Sequence, residues 1–443
     1  MLRRYFTRIP SAVSAGKRLH LLSHVSKLST SSSFLNKENA NTVNPPSLSK
    51  SDLDTLDELY RQVSEHAHGL GFPANQMFDY SVLQRFATVP LNNCGDPWGD
   101  THYGLNTFQF ERQVIEQVAK LSGADIADTW GYVTNGGTEG NTCGVLIARE
   151  KYPNGIVYFS NHAHYSAAKI MRLLRCEYRL IDGNDDGTMN LDHFRATLSE
   201  HKHRPAIIFA NVGTTMHQAV DDIPAIQDIL VDVGVVDTYI HADAAFSGFI
   251  LPFIDNPPPY NFSIGVDSIS ISGHKFIGAP IPCGVMLARK VDVGLISSEV
   301  EYVGGIDTTI TGSRNGLSPL MFWVALRKYD TAFMCREVQE CMEVADYAIE
   351  RFKELGMHAW RHPYSITVVF PKPPDAVIDK WSIAPHGEIA HIIASRHITR
   401  TIIDGFMADL VAHSTSTVDI PNQSLVPLLL KPGLSCFAKL PSR

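Results

Sequence analysis

The sequence predicts an α/β fold in which a mainly parallel sheet is covered by helices on both faces and is followed by a smaller domain. Between about residues 130 and 290, short apolar runs of strand length alternate with amphipathic stretches of helix length. Strands that alternate with helices in this way form parallel sheets. From residue 313 onward the pattern is mainly helical, with one further apolar run, "SITVVFP". That change predicts a smaller C-terminal α+β domain.

The predicted elements follow one another in a regular order. The strands of the larger region are "WGYVTN", "GIVYFS", "EYRLI", "AIIFANVG", "TYIHADAAF", "DSISIS" and "GVMLAR". Its helices are residues 138–151, "AHYSAAKIMRLL", "DHFRATLSEH" and "IPAIQDILVDVG". Two helical patterns, "LMFWVALRKYDTAFMC" and "EVQECMEVADYAIERFKELG", precede "SITVVFP", and a last helix is predicted around 387–412. Ligands of parallel sheets bind beyond the carboxyl ends of the strands, so the loops after strands should carry the chemistry.

Length and composition set the domain organisation and exclude several partners. The 443 residues are too many for one small core. The predicted parts are a leader (1–45), an N-terminal segment (46–110), a large domain (111–312), a small domain (313–415) and a tail (416–443). A net charge of −8 gives no reason to bind nucleic acid or an anionic membrane. No apolar run reaches the ~18–20 residues that span a bilayer, and seven scattered cysteines without a CxxC pair argue against structural zinc.

The first residues differ in composition from the rest of the chain. The stretch "MLRRYFTRIPSAVSAGKRLHLLSHVSKLSTSSSF" is rich in Arg, Lys and Ser, and no acidic residue precedes Glu38. Arginines spaced among apolar residues form the basic amphipathic helix of an organelle transit peptide. This composition predicts a mitochondrial-matrix protein. The alternatives are a plastid location, or a cytoplasmic one if the segment is a tail without a targeting role.

The loop after "WGYVT" opens a helix with glycines. It contains Gly136, Gly137, Thr138 and Glu139. Glycine lets the backbone approach a ligand closely, and the free N–H groups at a helix start bind phosphate. The motif is neither G-x-G-x-x-G nor a P-loop with its lysine, so neither a dinucleotide nor a triphosphate is favoured. Taken alone, the motif also fits an ordinary tight turn.

Two further loops carry a flat ring and a carboxylate. His162 and His164 follow "GIVYFS", and without a third cluster of ligands in the sequence they favour packing against a planar group over a metal site. His241 and Asp243 lie on one face of their strand, beside alanines that leave room for a large ligand. Burying a carboxylate between alanines costs free energy unless the carboxylate meets a cation. The alternative is that Asp243 only caps a turn at the end of its strand.

Lys275 completes this set of features. It follows an apolar strand and precedes "FIGAPIPCG", which contains no acidic residue to pair with it. Pyridoxal phosphate requires a phosphate cradle, a ring-stacking partner, an anion beside its pyridinium nitrogen and a lysine for its Schiff base. An apolar site lowers the pKa of a lysine amine and favours the neutral nucleophile. The four loops together therefore predict pyridoxal 5'-phosphate as the cofactor of the large domain.

The same segments resemble the pyridoxal-phosphate-dependent group II amino acid decarboxylases, most closely the bacterial-type histidine decarboxylases of that group. The resemblance runs from roughly Gly71 to Leu410 and is carried by "NNCGDP", "YVTNGGTEGN", "HYSAAKI", "FANVGTT", "HADAAFSGFILPF", "SGHKFIGAPIPCG", "ITGSRNG" and "SITVVFP". Plant-type serine decarboxylases share much of this pattern. The resemblance implies a fold-type-I (aspartate-aminotransferase-like) homodimer that acts on a small amino acid at sites in the subunit interface.

The resemblance also implies roles for individual residues. Lys275 forms the Schiff base, Asp243 pairs with the pyridine nitrogen, and His164 and Ala245 lie on the two faces of the ring. The remaining cofactor-binding residues are Gly137, Thr138, Ser272 and His274 at the phosphate, Thr215 or its neighbour Thr214 near the cofactor, and Arg314, which helps to close the site from its own chain or from the partner chain.

Tyr302, in "EVEYVGG", is the candidate proton donor. A tyrosine on a mobile loop often returns the proton in this group. Gly304 and Gly305 depart from the charged or bulkier residues that the family carries there, which affects loop closure and substrate fit. An ordinary packed aromatic residue is the alternative reading of Tyr302.

Three alternatives to a histidine decarboxylase stay open on the sequence. One is a decarboxylase of serine, valine or an aromatic amino acid. Another is an aminotransferase, whose carboxylate-clamping arginine could be Arg361 or Arg396 in the small domain. A third is a non-catalytic binding protein on the same fold. The presence of Lys275, Asp243 and His164 disfavours the last.

Overall fold

The computed structural model describes residues 47–65 and 69–415. The predicted leader and the predicted tail lie outside the described residues. Within the described part of the chain, residues 63–65 and 69–415 belong to one compact unit. Helix α1 (Lys50–Glu65) begins before that unit and is described by itself.

The larger region is built on a seven-stranded sheet among the described residues. Its strands are β2 (Thr129–Thr134), β3 (Ile156–Ser160), β4 (Tyr178–Ile181), β5 (Ala206–Asn211), β6 (Thr238–Asp243), β7 (Ser268–Ser272) and β8 (Gly284–Arg289), and β1 (Asn92–Cys94) lies outside this sheet. The spatial order is β2-β8-β7-β6-β5-β3-β4. Strands β4, β3, β5, β6 and β7 pair in parallel, whereas β8 is antiparallel to both of its neighbours. The predicted mainly parallel sheet is therefore present.

Helices connect these strands and cover both faces of the sheet. They are α2 (Phe108–Leu121), α3 (Gly137–Lys151), α4 (Ser166–Leu174), α5 (Leu191–Glu200), α6 (Ile223–Val233) and the short α7 (Lys290–Val293). Strand β5 shows why two layers are needed, since Ile208 and Ala210 enter one apolar cluster and Ile207 and Phe209 enter another. Successive side chains of a strand point to opposite faces, so a strand buried on both faces reads as one continuous apolar run.

The C-terminal part is a smaller α+β layer with its own apolar core. It contains α8 (Leu317–Lys328), α9 (Thr331–Glu354), α10 (Asp375–Trp381) and α11 (Arg400–Thr415), with an antiparallel sheet in the order β12-β14-β13. Its strands are β12 (Thr367–Pro371), β13 (Ala384–His386) and β14 (Ile389–Ile393). Leu70 belongs to this core and donates its N–H to the Trp381 carbonyl at 2.9 Å. The predicted division into separate domains stays a prediction.

The helix predicted around 387–412 is wrong in its first part. Residues 384–393 form β13 and β14, and the helix begins only at Arg400. Four of the five residues of β14 are buried, and the strand is the central one of its sheet, between β12 and β13. A short apolar run buried in this way carries no period that separates a strand from a helix.

Two small antiparallel pairs lie outside these sheets. Strand β1 pairs with β11 (Ser313–Asn315), and β9 (Ser298–Val300) pairs with β10 (Gly305–Asp307). The β9–β10 turn packs on an earlier segment, where His102 donates its N–H to the Val303 carbonyl at 2.8 Å. None of the helices in the described ranges is long and apolar enough to cross a membrane.

Gln218 connects the larger sheet to the small one. Its side-chain oxygen accepts hydrogen bonds from Ser365 Oγ at 3.0 Å, from Ile366 N at 3.0 Å and from Thr367 Oγ1 at 2.9 Å. Its amide nitrogen donates to Ser247 Oγ at 3.2 Å. Gln218 is fully buried and has a φ of 52°, an uncommon value for a residue other than glycine. One amide therefore satisfies polar groups from both parts of the fold.

Replacing Gln218 with Met should destabilise the protein. The apolar side chain keeps most of the volume but leaves buried donors unsatisfied, which costs about 2 kcal/mol in free energy of unfolding. Urea unfolding of the full-length protein measures the loss. Gln339→Met is the matched control, because Gln339 is exposed on α9 and bonds only Glu343 of the same helix among the contacts described. Equal unfolding midpoints for the two variants would contradict this account of Gln218.

Candidate active site

A cavity of about 330 Å³ opens at the carboxyl ends of the sheet strands. It is bordered by the residues that end or follow β2, β3, β5, β6 and β7. The sequence-predicted residues that line it are Gly137, Thr138, His164, Thr214, Thr215, Asp243, Ala245, Ser272, His274 and Lys275. These strands run in the same direction, so their following loops converge on one edge although they are distant in sequence.

The turn between β2 and α3 forms one wall of the cavity. Gly136 has a φ of 137°, which favours glycine, and α3 begins at the next residue. A Cβ on Gly137 would lie 2.8 Å from Ser272 Oγ and 3.0 Å from the Cβ of Ala245. Glycine is therefore required for the turn to approach the end of β7 so closely.

Ser272 and the start of α3 fit a phosphate. The Ser272 hydroxyl is buried and has no hydrogen-bond partner among the residues that the structure describes. Buried hydroxyls are normally paired, so this one is suited to a ligand that enters the cavity. The N–H groups of the first turn of α3 face no intrahelical acceptor, and a helix start favours an anion. His274 also lines this wall, and its Nδ1 lies 3.0 Å from the Cys283 carbonyl oxygen.

Lys275 presents an amine that lacks an ion-pair partner within residues 47–65 and 69–415. Its Nζ lies 5.6 Å from the centroid of the Phe246 ring. Desolvation lowers the pKa of Lys275, and the negative charge of Asp243 opposes this effect only in part. A lowered pKa increases the fraction of neutral amine, the form that attacks a carbonyl carbon.

Asp243 and His164 line the cavity from neighbouring parts of the sheet. Asp243 ends β6, is 7% exposed, and accepts a hydrogen bond from Ala245 N at 3.1 Å. His164 is held by a 2.8 Å contact between its Nδ1 and Ser166 Oγ. Desolvation lowers the pKa of His164, so its ring is neutral at neutral pH and can pack flat against a planar group. The cavity thus combines an amine, a carboxylate, a neutral ring and an anion-binding turn.

Two of the histidines singled out by the sequence do not line the cavity. His241 is fully buried, and its ring nitrogens contact Ser268 Oγ at 2.8 Å and Asn141 Oδ1 at 3.0 Å. Burial lowers the pKa of His241 to about 3. His162 contacts the Asn184 carbonyl at 3.0 Å. The described part of the chain contains no cluster of His, Cys, Asp and Glu that could hold a metal ion.

Arg314 and Tyr302 lie away from the cavity of their own chain. Arg314 is 3% exposed, and its guanidinium contacts the Glu111 carboxylate and the carbonyls of Val133 and Gly95. Within its own chain Arg314 does not line the cavity, because its two terminal nitrogens contact these buried groups. Its predicted role in cofactor binding stays a prediction. Tyr302 lies in the β9–β10 turn and is 83% exposed.

Several other residues that line the cavity received no role from the sequence. They include Asn135, Glu139, Tyr165, Asn211, Gly213 and Pro282. Glu139 accepts hydrogen bonds from Asn135 N at 3.0 Å and from Asn135 Nδ2 at 2.7 Å, and so holds the turn that precedes α3. A Glu in the first turn of a predicted helix is a known capping signal that could have identified it.

Comparison with known proteins agrees with this geometry. The model of the pyridoxal-dependent decarboxylase conserved domain matches residues 109–359. The histidine decarboxylase of Pseudomonas entomophila (strain L48) is 44% identical over 370 residues, which are 82% of this chain and 92% of that protein. That of Morganella morganii is 44% identical over 82% of this chain and 98% of its own length. The chain belongs to the pyridoxal-dependent decarboxylase family.

Solved structures with the same fold include two decarboxylases. The L-methionine decarboxylase of Streptomyces sp. 590 superposes with a TM-score of 0.74 at 26% identity, over 82% of this chain and 96% of that one. The glutamate decarboxylase of Lactobacillus brevis CGMCC 1306 has a TM-score of 0.70 at 17% identity, over 86% of this chain and 96% of that one, and shows the fold alone. The predicted fold class, cofactor and enzyme class are confirmed: the protein is a pyridoxal-phosphate-dependent carboxy-lyase.

The predicted mitochondrial-matrix location is not supported and is corrected. The matching relatives are bacterial histidine decarboxylases, from organisms without mitochondria. The prediction depended on the basic composition of residues 1–45, which lie outside the described residues. Composition of this kind is shared by targeting segments and by basic tails without that role.

The buried His241 should make the stability of the protein depend on pH. Its pKa is about 3 in the folded chain and ~6.5 in the unfolded chain. The unfolded state therefore binds more protons between these values, and stability falls as the pH decreases below ~6.5. The contribution of His241 should decrease by about 2 kcal/mol between pH 7.5 and pH 5.

Urea unfolding at both pH values, in the wild type and in His241→Asn, measures this contribution. The variant should lose less stability than the wild type on acidification. His203→Asn, at an exposed position, serves as the control and should behave as the wild type does. An unchanged pH dependence in His241→Asn would refute the assignment.

Proposed function

We propose that this protein decarboxylates L-histidine to histamine and carbon dioxide. The observation that carries the proposal is the 44% identity to histidine decarboxylases over 82% of the chain. The aligned part of the chain spans every residue that lines the cavity. Pyridoxal phosphate, when bound, supplies an electron-accepting ring that stabilises the charge left at Cα when the carboxylate departs. The chain itself must hold this group, orient the substrate and control protons.

Different residues of the cavity would carry out these tasks. The neutral amine of Lys275 is the covalent attachment point. Ser272, His274 and the turn at Gly137 and Thr138 would hold the phosphate, and Thr215 would lie near the cofactor.

Asp243 would hold the proton of the ring nitrogen, because a carboxylate that is 7% exposed favours a cationic partner. His164 and Ala245 would bind the ring, since both line the same cavity.

The arginines that could clamp a substrate carboxylate are already engaged within the small domain. Arg361 bonds the Asp346 carboxylate at 2.7 Å and also three backbone carbonyls. Arg396 bonds Glu337 at 2.6 Å and Glu340 at 2.7 Å. These contacts disfavour the aminotransferase alternative, because that chemistry needs an arginine that is free to bind the α-carboxylate.

We also infer that the protein is a homodimer in which Tyr302 acts in the partner's site. Exposed apolar side chains support a contact surface of this kind. On and beside the β9–β10 turn they are Trp98, Tyr103, Leu105, Tyr302 and Ile306. A tyrosine 83% exposed within such a surface is placed to reach a second copy.

Product analysis with single amino acids tests the substrate. The full-length protein with pyridoxal phosphate should form histamine and carbon dioxide from histidine. The Lys275→Ala variant should lose at least about 1,000-fold in rate, because the covalent route disappears. Lys169→Ala, on the surface of α4, is the matched control and should retain activity. Ethanolamine from serine, or a keto acid instead of an amine, would replace the proposed reaction.

Complementation between inactive variants tests the role of Tyr302. Tyr302→Phe and Lys275→Ala should each be inactive alone. Mixed subunits should recover about a quarter of wild-type activity, because half of the dimers are hybrids and each hybrid has one intact site. No recovery in hybrids that are shown to form by mass measurement would place Tyr302 in its own chain's site or outside catalysis.

A further inference from the structure

Strand β2 is at the edge of the sheet and lacks a second strand on its outer side within the described residues. It pairs with β8 on its inner side. On the outer side the backbone of Val133 is bonded by side chains instead. Val133 N donates to Glu111 Oε1 at 2.8 Å, and the Val133 carbonyl accepts from Arg314 Nη1 at 3.1 Å. An ion pair thus occupies the place of a neighbouring strand.

This ion pair is almost completely buried. The side chains of Arg314 and Glu111 are 1% and 0% exposed, and the two groups contact each other directly. Glu111 also accepts from Asn93 Nδ2 at 2.5 Å, and Arg314 donates to the Gly95 carbonyl at 2.9 Å. Apolar residues of similar volume would fill this space but would leave the polar groups of Val133 without partners. The backbone of Val133 therefore requires the hydrogen-bonding groups that this pair supplies.

The strand that this pair holds leads directly into the phosphate-binding turn. Thr134 is the last residue of β2, and its hydroxyl contacts both Gly136 N at 3.2 Å and the Gly136 carbonyl at 2.9 Å. The next residue, Gly137, packs against Ser272 across the cavity. Thr134 alone thus separates Val133, which the ion pair fixes, from the turn that the ion pair would position.

We propose that Arg314 and Glu111 are a positioning pair for the cofactor phosphate. By fixing both backbone groups of Val133, they hold the turn at residues 135–138 against Ser272, so that the start of α3 and the buried hydroxyl act on one phosphate. The proposal rests on the pyridoxal phosphate site described above. Neither residue touches the cofactor, and their effect is on its affinity.

Cofactor affinity in the full-length protein tests the proposal. Titration of the cofactor-free enzyme with pyridoxal phosphate, followed by the absorbance of the bound form, gives a dissociation constant. In Arg314→Met it should rise by at least about tenfold, because the buried carboxylate of Glu111 loses its partner and the strand end moves. Arg314→Lys keeps the charge without the two-pronged donor and should lie between the wild type and Arg314→Met.

A matched control separates positioning from a general loss of ion pairs. Arg396→Met removes a partly exposed ion pair of the small domain and should change the dissociation constant less than twofold. The KM for the amino acid at saturating cofactor should be similar in all these variants. A distorted substrate pocket would instead raise the KM.

Hydrogen exchange of the 129–138 segment gives a second readout. Exchange should be faster in Arg314→Lys than in the wild type, and this holds even if Arg314→Met does not fold. A dissociation constant and an exchange rate equal to those of the wild type in a folded Arg314→Lys protein overturn the proposal. If the wild type itself does not bind pyridoxal phosphate, the proposed function fails as well. That result differs from failure of the positioning proposal alone, in which the wild type and the variants bind the cofactor equally well.

Discussion

Desolvation of the Lys275 amine is the interaction on which the other parts of the site depend. An ammonium group in such a place would require a carboxylate in direct contact, but the described residues provide only the charge of Asp243 acting through space. The neutral amine is therefore favoured in the cavity that Lys275 lines. The turn between β2 and α3 borders the same cavity, and Gly137 allows it to approach Ser272 and Ala245 closely.

The sheet explains how residues distant in sequence come to surround this amine. Parallel strands place their following loops along one edge, so each loop needs to contribute only one or two side chains. The helices on both faces then bury every residue of strands β3 and β5. Polar residues at the ends of such strands are consequently exceptions to an otherwise apolar pattern. They can therefore be recognised in the sequence.

For this reason the sequence predicted several residues of the cavity. The loops that carry His164, Asp243 and Lys275 follow strands with clear apolar runs, and the cavity contains all of them. The location of Arg314 could not be predicted, because it depends on the pairing of β11 with β1 and on a glutamate in α2 that is far away in sequence. The strands at 384–393 could not be predicted either, since β13 has only three residues and the buried run of β14 carries no period that separates a strand from a helix.

The neighbouring residues in the sequence do not show which of two histidines is enclosed in the core. His241 and His164 have similar neighbours in the chain, yet one is fully enclosed and the other lines the cavity. Gly144 makes the difference, because a Cβ there would lie 2.2 Å from His241 Nδ1. Only the packing of α3 on β6 shows that this ring is accommodated inside the core.

The side chains along the outer side of β2 also have a consequence for solubility. Unpaired backbone groups at a sheet edge can recruit a strand from another molecule and start aggregation. In this protein the edge is blocked at Val133 by Arg314 and Glu111, and at Gly131 by Trp98, whose indole nitrogen donates to the Gly131 carbonyl at 2.9 Å. An incoming strand would have to displace a buried ion pair and an indole. The edge beside the phosphate-binding turn is therefore protected against intermolecular strand addition.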